Sequence, residues 1–150
     1  MDSHIRVPRA AGIVPARRTN RGWRVLVLRA RRSWDFPNGD MRPNEDPVHA
    51  ARRETRAETG LTDLRFPFGP VYRDPAPYTH GQLPRYYLAV TEQAQVTVHG
   101  PGGRKPAGHN DARWVSFDDA SNLLPPRLVP VLNWSRRMLA ATAGRPRDEG

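Results

Sequence analysis

Two glutamates, Glu54 and Glu58, stand four residues apart in a stretch that reads as helix. At that spacing both side chains leave one face, with Cβ atoms about 5–6 Å apart. Two like charges so placed repel one another unless a cation lies between them. Carboxylate oxygens are hard ligands that suit Mg²⁺ or Mn²⁺, and Mg²⁺ keeps several waters and takes further ligands from substrate phosphates. Upstream, Gly39 lets the backbone come close to whatever is held there. Arg53 can reach back to Glu45 and fasten the preceding loop onto the helix. The same glutamates could be neutralised by Arg52, Arg53 and Arg56 on a solvated, charge-laced helix with no metal. For such a pair alone the metal-free reading is the commoner one.

The elements that must position these residues can be read from pattern. Arg6 to Arg18, centred on Gly12-Ile13-Val14, reads as a strand, and Arg21-Gly22 turns into a buried strand over Trp23 to Leu28. Ser33 to Pro47 holds three prolines and a glycine and reads as a loop. Asp46 is suited to cap a helix that begins at Pro47, where the missing N–H is harmless, and ends near Thr59 with Gly60 as its left-handed stop. Leu64 to Tyr72 and Arg85 to Glu92 read as strands, and Gln95 to His99 could extend or pair with the second. His99 to Asn110 is a Gly/Pro-rich loop, and Arg113 to Phe117 a short strand followed by a helical turn capped by Asp118 or Asp119. From Pro126 to Ala143, Val129, Leu132, Met138 and Leu139 mark an amphipathic helix. Strands and helices in mixed order predict one α/β or α+β domain.

Composition narrows the chemistry. The chain has 150 residues, enough for one domain with its own core. With no cysteine, disulfides, thiolate metal sites and cysteine nucleophiles are excluded. No apolar run approaches the ~18 residues of a membrane helix, and the first ten residues lack a signal-peptide core, so the chain reads as soluble and cytoplasmic, with no membrane partner. No Gly-Lys-Ser/Thr phosphate loop occurs. The net charge of +9 favours anionic partners, nucleotides or nucleic acid among them, although an arginine-rich surface would produce the same excess.

Taken in full, the segment runs Gly39, five residues, Glu45, seven residues, Arg53-Glu54, then Thr55-Arg56-Ala57-Glu58-Thr59-Gly60-Leu61. This spacing resembles the Nudix box, with Gly39, Glu45, Arg53, Glu54, Glu58, Gly60 and Leu61 at matching positions. Trp34-Asp35-Phe36-Pro37-Asn38-Gly39 is similar to the family's aromatic-proline entry, and Arg113-Trp114-Val115 to its late strand. Two positions depart: Ala57 replaces the first of a Glu-Glu pair, and Thr55 stands where an aliphatic residue is usual.

The resemblance implies a Nudix-like α/β/α sandwich with a mixed central sheet and a single domain over residues 1–140; the small and charged residues of 141–150 read as a flexible tail. It implies divalent-dependent hydrolysis of a phosphoanhydride in a nucleoside diphosphate linked to another group. Glu45, Arg53, Glu54 and Glu58 would form the catalytic set, and Gly39, Glu54, Glu58 and Asp111 would hold Mg²⁺ or Mn²⁺. Glu54 is the first choice for the acid/base role, with Asp111 second. Trp34, Phe36, Tyr78 and Tyr86 are candidates to stack on a base, Arg73, Arg85 and Lys105 to contact phosphates, and His80 and His109 to act as acid/base groups. Arg85-Tyr86-Tyr87-Leu88-Ala89 is similar to a strand of the dinucleoside tetraphosphate hydrolases in the family, although Asn38 replaces the lysine they often carry. Two rivals stay open: an RNA 5′-end pyrophosphohydrolase, favoured by the charge, and a metal-poor nucleotide- or nucleic-acid-binding module, favoured by Ala57. A nucleotide-type small molecule is the expected partner, and a homodimer is left open.

Overall fold

The computed structural model describes residues 8–30, 32–75, 83–99 and 111–143. Its centre is a mixed sheet in which β1 (Ala10–Thr19) lies between β2 (Gly22–Ala30) and β6 (Arg85–Val90). β1 runs antiparallel to β2 and parallel to β6, with Ile13 opposite Tyr87 and Ala16 opposite Val25. β3 (Ser33–Asp35) and β7 (Asp111–Val115) pair with β2, β4 (Asn38–Asp40) with β1, and β5 (Tyr72–Arg73) with β6.

Strand alternation sorts the core into two layers. Ala11, Ile13, Leu26, Tyr87 and Ala89 face α1 (Pro47–Thr59), meeting its Ala50 and Ala51. Val14, Ala16, Val25, Val27, Tyr86 and Leu88 face the other way, onto α2 (Phe117–Leu123) and α3 (Val129–Ala143) through Phe117, Ala120, Leu132 and Leu139. The result is the expected sandwich of helices about a mixed sheet. α3 continues through Ala143, so the first residues of the segment expected as a tail are helical, and the remainder lies outside the described residues. No helix among the described residues is long and apolar enough to cross a membrane.

The box helix starts and stops as its end residues dictate. The Asp46 carboxylate accepts from the Val48 N–H at 3.1 Å, Pro47 opens the first turn, and Gly60 ends the helix at φ 75° while its N–H returns to the Arg56 carbonyl. Thr55 is fully buried and its hydroxyl has no hydrogen-bond partner among the described residues. A polar group so placed costs about 1–3 kcal/mol that an aliphatic side chain would not.

Four expectations are corrected. Ser33 to Pro47 is not all loop: β3 and β4 form within it, because Pro37 and Pro43 both fall outside the paired residues. Leu64 to Tyr72 is not a strand; Pro67 and Pro70 interrupt it, leaving an Arg65–Val90 bridge and β5. Gln95 to His99 pairs with no strand, and instead Thr97 and His99 donate their N–H groups to the carbonyls of Thr59 and Glu58 at the end of α1. Finally, α2 is capped by the Ser116 hydroxyl, which accepts from the Asp119 N–H at 3.1 Å, and a 3-10 turn over Pro126–Leu128 precedes α3.

Candidate active site

The face of α1 that carries Glu54 and Glu58 is turned inward, leaving the two side chains only 5% and 8% exposed. Glu54 lies under β4: a Cβ on Gly39 would land on the Glu54 carboxylate, so glycine alone permits this approach. Arg53 reaches back along the helix to Glu45, with Nε 2.8 Å from Oε2 and Nη2 2.9 Å from Oε1. The same guanidinium bonds Glu54 Oε1 at 2.6 Å and the Asp40 carbonyl at 3.0 Å, tying loop, strand and helix together. The hydrogen bond from Arg53 is the main reason that the Glu45 carboxyl is held down at about 2.

Glu58 stands apart from this clasp. Its Oε1 accepts from the Asn38 backbone N–H at 3.2 Å, and no cationic side chain among the described residues pairs with it. Burial pushes its carboxyl up to about 8, against the Asn38 hydrogen bond and helped by the charges of Glu54 and Asp35. Beside it opens a cleft of about 200 Å³ whose lining includes Arg29, Ser33, Asp35, Asn38, Glu58 and His99.

The donor set fits a hard divalent cation. Two buried carboxylates sit one turn apart and one lacks a positive partner, while the Gly39 backbone is pressed against the other. Such an ion takes a few carboxylate and carbonyl oxygens and completes its shell with water or phosphate. Among the described residues no third His, Asp or Glu joins this pair in a ready metal cluster.

The other residues singled out in the sequence fall elsewhere. Asp111 opens β7, where its carboxylate accepts from the Ala112 N–H at 2.8 Å and Arg113 Nε at 3.1 Å, and it does not line the cleft. Trp34 is 9% exposed and lies beneath Arg113, whose guanidinium is 5.0 Å from the ring centroid. Phe36 and Tyr86 are core side chains in edge-to-face contact, so neither offers a ring face to a base. Arg85 bonds Asp74 at 3.1 Å and covers the exposed Tyr72 ring at 3.8 Å, while Arg73 lies exposed on β5. Tyr78, His80, Lys105 and His109 lie outside the described residues.

Sequence reasoning passed over Asp35 and His99. The signal for Asp35 was an acidic residue wedged between Trp34 and Phe36, a costly neighbour for two large apolar rings unless it is hydrogen-bonded. His99 gave no local signal, since it reaches the cleft only because its N–H closes the end of α1.

Comparison with known proteins bears on the family and the fold. A family model described as "NUDIX domain" matches residues 6–137. Over 93 residues the chain is 29% identical to the mouse (Mus musculus) bis(5′-nucleosyl)-tetraphosphatase [asymmetrical], a match spanning 60% of each protein. It is 26% identical over 124 residues to the RNA pyrophosphohydrolase of Rhodopseudomonas palustris, covering 73% of this chain and 71% of that one. The crystal structure of a C. elegans Ap4A hydrolase binary complex superposes with a TM-score of 0.70 at 24% identity, covering 91% and 99% of the two chains, which shows the shared fold.

Proposed function

Because this chain belongs to the NUDIX domain family, whose hydrolases act on pyrophosphate bonds, we propose that it cleaves a phosphoanhydride in a dinucleoside polyphosphate with the help of Mg²⁺ or Mn²⁺. One observation carries the reading: Glu58 is buried beside Glu54, faces the cleft, and has no cation of its own among the described residues. Glu58, Glu54 and the Gly39 backbone would hold the ion, which when bound supplies charge neutralisation for the phosphates and an acidified water.

The chain's own groups do the rest. Arg53 holds Glu54 in place by bonding it and Glu45 together. Arg29, which pairs with no carboxylate among the described residues, and the Ser33 hydroxyl line the cleft where a phosphate chain would enter. A cleft of about 200 Å³ has room for a short phosphate chain beside Glu58. The relative named for tetraphosphate cleavage supports the substrate class. The net charge of +9 and the relative named for RNA support a second reading, a triphosphorylated RNA 5′ end.

A panel of dinucleoside tetraphosphate, nucleoside triphosphates, ADP-ribose and triphosphorylated RNA separates these, with products read by mass spectrometry in Mn²⁺ and in chelator. Expected is asymmetric cleavage of the dinucleoside tetraphosphate in Mn²⁺ alone, with weak dependence on salt. Preferential turnover of RNA that falls steeply with salt would favour the second reading. Binding of these compounds with no turnover in Mn²⁺ would make the chain a nucleotide-binding module and overturn the proposal.

A further inference from the structure

Asp35 belongs neither to the box helix nor to the Arg53 clasp, yet it is among the most constrained groups of the cleft. Its Oδ1 accepts from the Tyr86 hydroxyl at 2.6 Å and from the Phe36 N–H at 2.7 Å. Its Oδ2 accepts from Asn38 Nδ2 at 3.1 Å and lies 3.8 Å from Arg127 Nη2. Asn38 is the joint between this network and Glu58. Its side chain bonds Asp35 and, at 2.8 Å, the Phe36 carbonyl, while its backbone N–H bonds Glu58 Oε1. The residue just before Gly39 is therefore gripped on both sides of its Cα.

Packing alone does not account for this arrangement. Tyr86 is fully buried in the α3-side core, where phenylalanine would fill the space without a hydroxyl to satisfy. Burial pushes the Tyr86 hydroxyl well above its usual range, so it stays a donor to Asp35. Arg127, in the 3-10 turn before α3, adds its charge from a second element. Strands β3, β4 and β6 and the α3 unit thus all converge on one carboxylate, and that carboxylate bears on the loop that touches Glu58.

We infer that Asp35 is a positioning residue: anchored by Tyr86 and Arg127, it fixes Asn38 so that the Asn38 N–H aims the Glu58 carboxylate and Gly39 stays seated over Glu54. The inference rests on the reading that Glu58 holds a divalent cation. Groups that orient metal ligands from behind are commonly worth roughly 10- to 100-fold in metal affinity.

Mn²⁺ affinity of the full chain, followed by the electron paramagnetic resonance of the free ion without any nucleotide, tests it. Asp35→Asn, Tyr86→Phe and Asn38→Ala are each expected to weaken Mn²⁺ binding by roughly 10-fold or more. Asn38→Ala keeps the backbone N–H and alters a partly exposed side chain, so it reports even if a core variant folds poorly. Leu132→Ala, which empties part of the same core layer without touching the network, should lower the melting temperature and leave Mn²⁺ affinity unchanged. The inference fails if the three network variants bind Mn²⁺ like the unaltered protein, or if Leu132→Ala loses affinity equally. Unaltered protein that takes up no Mn²⁺ would overturn the role of Glu58 itself, and this inference with it.

Discussion

Glu58→Gln is expected to cut turnover by roughly 10²- to 10³-fold while leaving the protein folded and, without divalent ions, more stable at pH 8 than the unaltered chain. Glutamine keeps the shape of the side chain and an oxygen for the Asn38 N–H, so the local packing survives. What it removes is the negative charge, which the fold tolerates poorly: Glu58 is 8% exposed, sits one turn from Glu54 and has no cation partner among the described residues. A side chain retained for stability would not be placed this way, because its ionised form is unfavourable in the protein as it stands. Steady-state turnover in Mn²⁺ and thermal melting in chelator check the two halves together. Retained turnover per folded molecule would remove Glu58 from the chemistry.

The second large effect is on the pH dependence of the metal-free protein. The Glu58 carboxyl is raised from 4.5 in the unfolded chain to about 8 in the fold, so the native state holds the proton more firmly. Its contribution to stability is therefore complete below about pH 4.5 and is lost as pH rises through 8, by up to several kcal/mol. Glu45 runs the opposite way, gaining between about 2 and 4.5, and has finished before this window opens. In chelator, the melting temperature should fall from pH 5 to pH 8, and Glu58→Gln should flatten part of that fall, Asp35, whose carboxyl burial also raises, acting in the same direction. Saturating Mn²⁺ should also flatten it, since the ion takes the place of the proton and its affinity rises with pH up to about 8. A melting temperature that climbs across the same window in chelator would show that Glu58 is not a strained acid.

Much of this was legible locally. The box helix could be read to its ends because Asp46, Pro47 and Gly60 each act on their own neighbours, with no help from distant residues. The Arg53 reach to Glu45 likewise follows from two long side chains near one helix start. What stayed hidden depends on contacts between segments far apart in the chain. The strands β3 and β4 are three residues each and exist because β2 and β1 offer them open edges. Tyr86 stood as a candidate to stack on a base, but the parallel pairing of β6 with β1 buries it and sends its hydroxyl to Asp35, 51 residues away in sequence. Asp111 looked available from the loop before β7, and its own neighbours Ala112 and Arg113 engage it. Departures within the box can be seen the same way: Thr55 at the aliphatic position leaves a buried hydroxyl unpartnered among the described residues.

A divalent ion seated between Glu54 and Glu58 against the Gly39 backbone is what every role above requires. Crystals soaked in Mn²⁺ and measured at an energy where manganese scatters anomalously locate it directly. Expected is an anomalous peak within bonding distance of both glutamates and of β4. Ordered protein at full Mn²⁺ occupancy elsewhere, with an arginine guanidinium lying against Glu58 and no peak beside it, would contradict it.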